Sequence, residues 1–377
     1  MRRLLLLAGA IVFLDTMFFA ALTPLLPGYV DRFDLSKVGA GALQAAYPVG
    51  ALLGGIPSGL ATARLGPRTT AIAGLLLMSA TTLAFGLADS VWVLDGARLL
   101  QGFASAAAWT AALSWLVSAS PAERRGQLIG SAMAAAIVGA LFGPVLGGLG
   151  SLAGTGVVFG AVGALALGLA AWAAATAAPE RSEPQSPRLL LRAVQDRRLA
   201  GAIWLVTLPA LLFGTLSVLA PLRLSELGFG AIAIGAVYLV SAGAEAVLSP
   251  LLGRFSDRRG RRLPLLGACA GAAVVTALLP WPEHRFVLAV VVFAAGVAFG
   301  SFWAPAMSQL SDVAEAQGLD HGFAFALVNL AWAPGQALGA SGGGSLADLT
   351  SDTVPYLVLS AASLLTLAAL WRSRSSS

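Results

Sequence analysis

Long apolar runs alternate with short polar breaks from one end of this chain to the other. A bilayer core of about 30 Å is crossed by roughly 20 apolar residues in a helix. Runs of that length lie near 4–27, 38–62, 69–88, 91–118, 126–150 and 153–178. A second set lies near 199–222, 230–253, 263–281, 286–312, 321–347 and 353–371. The pattern predicts an all-α membrane protein with twelve transmembrane helices and no room between them for a soluble domain. The opening Met1-Arg2-Arg3 followed by Leu4 to Leu14 has the look of a signal peptide. Asp15 interrupts that run, and the segment has a counterpart later in the chain, so it is read as the first helix.

The polar breaks set an orientation. Eighteen of the 23 basic residues fall in loops or ends on one side, among them Arg2, Arg64, Arg68, Arg258 and Arg372. Arg32, Lys37, Arg223 and Arg285 fall on the other side, and Arg98 lies inside a span. Basic loops stay cytoplasmic, so both termini are expected inside, in the cytoplasmic membrane. The longest polar stretch, residues 179–198, is rich in Pro and charge and reads as a cytoplasmic linker. It separates an N-terminal six-helix bundle, 1–178, from a C-terminal one, 199–377.

The halves repeat each other at a spacing of 194. Pro27 matches Pro221, Arg64 matches Arg258, Gly66 matches Gly260, Arg68 matches Arg262, Gly102 matches Gly296 and Trp109 matches Trp303. At a spacing of 196, Gly139, Gly143 and Gly147 match Gly335, Gly339 and Gly343. Coincidence in a chain rich in Ala and Gly accounts for glycine matches but not for those of Trp and Arg. Two parallel repeats place a cavity at their interface and suggest alternating access.

Composition narrows the function. Charged residues make up 11% of the chain and hydrophobic ones 58%, against about a quarter charged in a soluble domain. The net charge of +5 comes from short arginine clusters between spans, which excludes a nucleic-acid groove. A single cysteine, Cys269, excludes an internal disulfide, and two loop histidines, His284 and His321, leave no metal site. No phosphate-binding Gly-rich loop with Lys-Ser/Thr is present, so neither ATP nor another cofactor is expected. No nucleophile–base pair within a span suggests an enzyme.

Charges inside a membrane cost at least a few kcal/mol and mark candidate sites. Asp15 lies midway along the first helix. Its charge state depends on its surroundings, so it can alternate between a proton and a cationic substrate, or it can serve as a structural partner for Arg98. Glu245 shares a helix face with Tyr238, Ser241 and Ser249, a stripe expected to face water or packed against a neighbouring helix. Arg98 shares a face with Gln101, Ser105 and Trp109. It can pair with an acid, tune Asp15 or bond carbonyls of the first helix. Gln44 and Tyr47 on the second helix, and Asn329, Trp332 and Gln336 on the eleventh, add further polar and aromatic positions. Trp109 and Trp303 are expected to face each other across the cavity, where aromatic walls suit a lipophilic cation. Ordinary helix packing accounts for the same spacings.

Several segments resemble a known family. Gly253-Arg-Phe-Ser-Asp257-Arg258-Arg-Gly260-Arg261-Arg262 resembles the loop signature of the major facilitator superfamily. The first-half copy keeps Gly59, Arg64, Gly66 and Arg68 but has Ala63 where the acid belongs. Arg98-Leu-Leu-Gln-Gly102 is similar to the fourth-helix signature. Gly139-Ala-Leu-Phe-Gly143-Pro144-Val-Leu-Gly147-Gly148 is similar to the fifth-helix signature of proton-driven antiporters. Phe13 to Pro27 resembles the first helix of drug/proton antiporters, the vesicular monoamine branch included. The resemblance implies a gating clasp built on Asp257 and the loop arginines, and a close helix seam at the glycines, bent by Pro144. It further implies a monomeric, proton-coupled antiporter exporting small lipophilic or cationic compounds. Asp15, Glu245 and Arg98 would carry the coupling. Symport of a nutrient with protons, or a sensor or scaffold that has lost transport, are the competing readings.

Overall fold

The computed structural model describes residues 2–120, 125–177, 196–317 and 321–372. The linker expected at 179–198 falls almost wholly outside them, as do the side chains of Asp257 and His321. The described residues form α1 (Arg2–Phe33), α2 (Lys37–Leu65), α3 (Pro67–Gly86), α4 (Val91–Ser118), α5 (Arg125–Ala153) and α6 (Thr155–Ala174). These are followed by α7 (Arg197–Glu226), α8 (Ala231–Arg259), α9 (Arg262–Leu278), α10 (Arg285–Gly300), α11 (Trp303–Ala316), α12 (His321–Leu349) and α13 (Thr353–Arg372). Helices α10 and α11 are two parts of one span, which gives twelve transmembrane helices.

The span expected near 286–312 is present as Arg285–Ala316, made of two helices. The chain breaks at Ser301 and Phe302. Pro305 is the local cause: it has no amide hydrogen to give the Ser301 carbonyl four residues earlier. Among the described residues, eight spans are long and apolar enough to cross a membrane on hydropathy alone. Helices α2, α4 and α12 are long but diluted by small and polar residues, including Gln44, Arg98, Gln101 and Gln336. These are the helices that carry most of the candidate site.

Contacts divide the chain into two compact units. The first comprises 1–25 and 46–186, and the second 26–45 and 187–377. In the first, α3 packs on α4 and α6, and in the second α7 packs on α12, α8 on α10, and α9 on α13. Residues 26–45 pack within the second unit. Lys37 pairs with Asp352, and a Cβ at Gly41 or Gly344 would strike the opposing backbone of Ala340 or Lys37.

The repeat is visible inside each unit. In the first, a Cβ at Gly139, Gly143 or Gly147 would collide with the backbone of Phe13, Met17 or Ala21 on α1. In the second, Gly335 and Gly339 meet the carbonyls of Thr207 and Leu211, and Gly343 meets the side chain of Thr215. The partners on α7 are those on α1 shifted by 194. The helix ends repeat too: Gly66 (φ 88°) and Gly260 (φ 81°) close α2 and α8. Asp34 (φ 50°) and Gly228 (φ 91°) follow α1 and α7. Gly148 does not join the seam, because a Cβ there would meet nothing within 4 Å.

Candidate functional site

In the first unit, α1, α2 and α4 bring four polar side chains together. Asp15 is buried, 3% exposed. Its Oδ1 accepts from the Tyr47 hydroxyl at 2.6 Å, and its Oδ2 from Ser105 Oγ at 2.8 Å and Trp109 Nε1 at 2.6 Å. Ser105 and Trp109 lie four apart on α4, so both reach one carboxylate oxygen. The carboxylate is supplied with three donors, and the indole N–H can only donate.

Arg98 lies fully buried one turn and more away along α4. Its guanidinium donates to the Phe19 carbonyl of α1 at 3.4 Å and acts on the Asp15 charge through space. Four rings surround it: Tyr47 at 5.0 Å, Phe18 at 5.5 Å, Phe85 at 5.7 Å and Phe19 at 5.9 Å. Ring faces carry partial negative charge, so this aromatic cage holds a cation where water is scarce. Phe18, Phe85 and Phe159 meet edge to face behind it, which fixes the cage walls. The bond to the first helix, one of the alternatives for Arg98, is observed.

The second unit has a different centre. Tyr238 donates to the Leu216 carbonyl at 3.0 Å, and Ser241 lies against α10, 3.5 Å from the Phe293 carbonyl and directly over Gly296. Four residues on, the Glu245 carboxyl lies over Gly300, where a Cβ would come within 2.5 Å of Glu245 Cδ. Glu245 is half-buried and accepts no hydrogen bond from the described residues. It thus sits on the last residue of α10, beside the break. Trp303, the first residue after the break, stacks on Phe213 at 6.2 Å, and Phe213 meets Phe299 edge to face at 5.5 Å.

The remaining candidates disperse. Gln44 is buried on α2, and its Oε1 has no partner among the described residues. On α12, Gln336 is buried, Trp332 is half-buried and Asn329 is exposed. The expected gating arginines divide in role. Arg68 donates to the Ala174 carbonyl at the end of α6, and Arg262 donates to the Leu370 and Trp371 carbonyls at the end of α13, at 2.5 and 2.8 Å. These repeat-related residues neutralise the carbonyl end of the last helix in their own halves. Arg261 pairs with Asp312 and the Ser308 carbonyl on α11, while Arg64 and Arg258 are exposed. Gly253 has open space where a Cβ would be.

Ser105 lies on the helix face shared by Arg98 and Trp109, as its spacing predicts, whereas the cage phenylalanines and Gly300 carry no such mark in the sequence. The phenylalanines carried no periodic signal that separates a cage from a core. Replacing Trp109 with Phe removes one donor and little volume. It is expected to lower stability by about 1–2 kcal/mol, measured by thermal unfolding in detergent.

Each of the two helical units carries the glycine seam, and the first holds a buried acid midway along a membrane span. The chain belongs to the major facilitator superfamily: the model of the Major Facilitator Superfamily matches residues 8–319. It is similar to the human synaptic vesicular amine transporter, 27% identical over 77% of this chain and 57% of that protein. It is also similar to a multi-drug resistance efflux pump PmrA homolog of Lactococcus lactis, 24% identical over 86% of this chain and 84% of that one. Fungal MFS-type transporters align over a shorter stretch, and the chain spans about a third of their length. The fold matches that of a D-xylose–proton symporter, with a TM-score of 0.75 at 18% identity, covering 98% of this chain and 97% of that one.

Proposed function

We propose that this transporter is a proton-coupled antiporter that exports small lipophilic cations. It would act as a monomer in the cytoplasmic membrane with both termini inside. The observation that carries the reading is the Asp15 carboxylate. It sits midway along α1 with three donors around it and the rings of Phe19, Tyr47 and Trp109 nearby. A cationic substrate has a counter-charge there and aromatic surface beside it. Glu245, beside the α10–α11 break and without a donor among the described residues, is the second acid at which a proton can be taken up or released. Similarity to an efflux pump and an amine transporter supports export of cations over import of a sugar. The proton coupling rests on the two acids.

The test uses the purified protein in liposomes with a pH dye inside and an imposed substrate gradient. Lipophilic cations are expected to drive protons opposite to the solute, and neutral drugs and sugars are not. Proton movement in the same direction as the solute would replace the proposal with symport. Glu245→Gln is expected to abolish solute-driven proton movement while leaving solute binding measurable.

A further inference from the structure

The second unit contains a groove that the transport reading does not use. It runs between α9 and α13, with Leu266, Gly267 and Ala270 on one wall and Leu364 and Leu367 on the other. Both of its ends are fixed. At one, Ser360 Oγ donates to the Ala273 carbonyl at 2.8 Å and holds the helices in contact. At the other, Arg262 grips the Leu370 and Trp371 carbonyls. Between these ties the walls are cut back by small residues, and a Cβ at Gly267 would meet no atom within 4 Å. The groove holds about 750 Å³ and is open on one side. Its almost wholly apolar lining ends at Trp371 and Arg372. Trp371 is 62% exposed at the end of α13, and indoles favour the region between acyl chains and headgroups.

We infer that this groove is a binding site for one anionic phospholipid. An acyl chain lies along Gly267 and Ala270, and the phosphate headgroup meets Arg372. The two requirements are separate and both are present: an apolar trough bounded at each end, and a cation at the end where a headgroup would emerge. A guanidinium matches a phosphate by charge and geometry, whereas a zwitterionic headgroup brings its own cation to the same place. An amphipathic peptide would need a broader apolar face than one groove between two helices.

The experiment titrates delipidated, detergent-purified full-length protein with phosphatidylglycerol or phosphatidylcholine of matched chains. It reads the unfolding temperature and, by native mass spectrometry, the number of lipids retained. One phosphatidylglycerol is expected to bind about fivefold more tightly than phosphatidylcholine, the preference supplied by one arginine at the membrane surface. At Gly267 a Cβ meets no neighbour, and Gly267→Leu, which projects into the trough from there, is expected to remove the retained lipid while keeping the delipidated unfolding temperature. Arg372→Ala should equalise the two lipids. Arg258→Ala, at an exposed arginine that does not line the groove, should leave the preference intact. Equal affinity in the wild type, or a preference that survives Arg372→Ala, overturns the assignment. So does phosphatidylglycerol retention unchanged in Gly267→Leu.

Discussion

Replacing Asp15 with Asn is expected to yield a folded protein that no longer couples solute to protons. The hydrogen bonds survive the change. Rotated so that its Oδ1 faces Ser105 and Trp109, the amide accepts from both, and its Nδ2 donates to the Tyr47 hydroxyl, which can accept. The loss is the negative charge and its effect on Arg98. Because Arg98 keeps the Phe19 carbonyl and its ring cage, the expected cost in stability is about 1–3 kcal/mol. That lies between an exposed ion pair and a broken buried one. Asp15→Leu is different, since it strands three donors in an apolar site and should cost several kcal/mol. Thermal unfolding of both proteins, beside proton movement in liposomes, separates the roles. If Asp15→Asn transports like wild type, Asp15 is a hydrogen-bonded anchor and the coupling lies elsewhere.

Gly339→Ala is expected to destabilise the second unit by about 1–3 kcal/mol, with Gly143→Ala doing the same in the first. At Gly339 the added methyl would overlap the Leu211 carbonyl, and the three nearest atoms are all backbone. No rotamer change relieves a clash with backbone, so α7 and α12 must move apart. At Gly143 the methyl meets the Met17 carbonyl and the Ala20 Cβ of α1. Gly148→Ala is the internal comparison. It lies in the same sequence motif but faces open space, and Ala favours helix over Gly by about 1 kcal/mol. Unfolding temperatures in detergent should therefore fall for Gly143→Ala and Gly339→Ala and hold or rise for Gly148→Ala. Equal effects at all three would mean that the glycines act through helix propensity and not through the seam.

The motif containing these glycines shows how far sequence carried and where it stopped. Gly139, Gly143 and Gly147 recur every four residues, and their matches at 196, Gly335, Gly339 and Gly343, prove to line a second seam against α7. Gly148 belongs to the same string of letters but lies about 100° around the helix, so resemblance grouped it with residues whose environment it does not share. The loop arginines show a second boundary. Their positions in the chain give the topology, and the family resemblance implies a clasp. That Arg68 and Arg262 reach back to the ends of α6 and α13 depends on which helix end lies beside which loop, and separations of more than 100 residues carry no periodic signal.

Chain pattern alone determined the twelve spans, the duplication and the two intramembrane acids. Each follows from a local rule: apolar length against bilayer thickness, a fixed offset between landmarks, and the cost of charge in hydrocarbon. Tertiary structure decided which donors reach Asp15, which rings enclose Arg98, and that Glu245 rests on Gly300 beside a broken helix. It also placed residues 26–45 in the second compact unit. Those outcomes turn on the rotation and approach of separate helices, set by packing distances of a few ångströms that hydropathy and spacing do not encode.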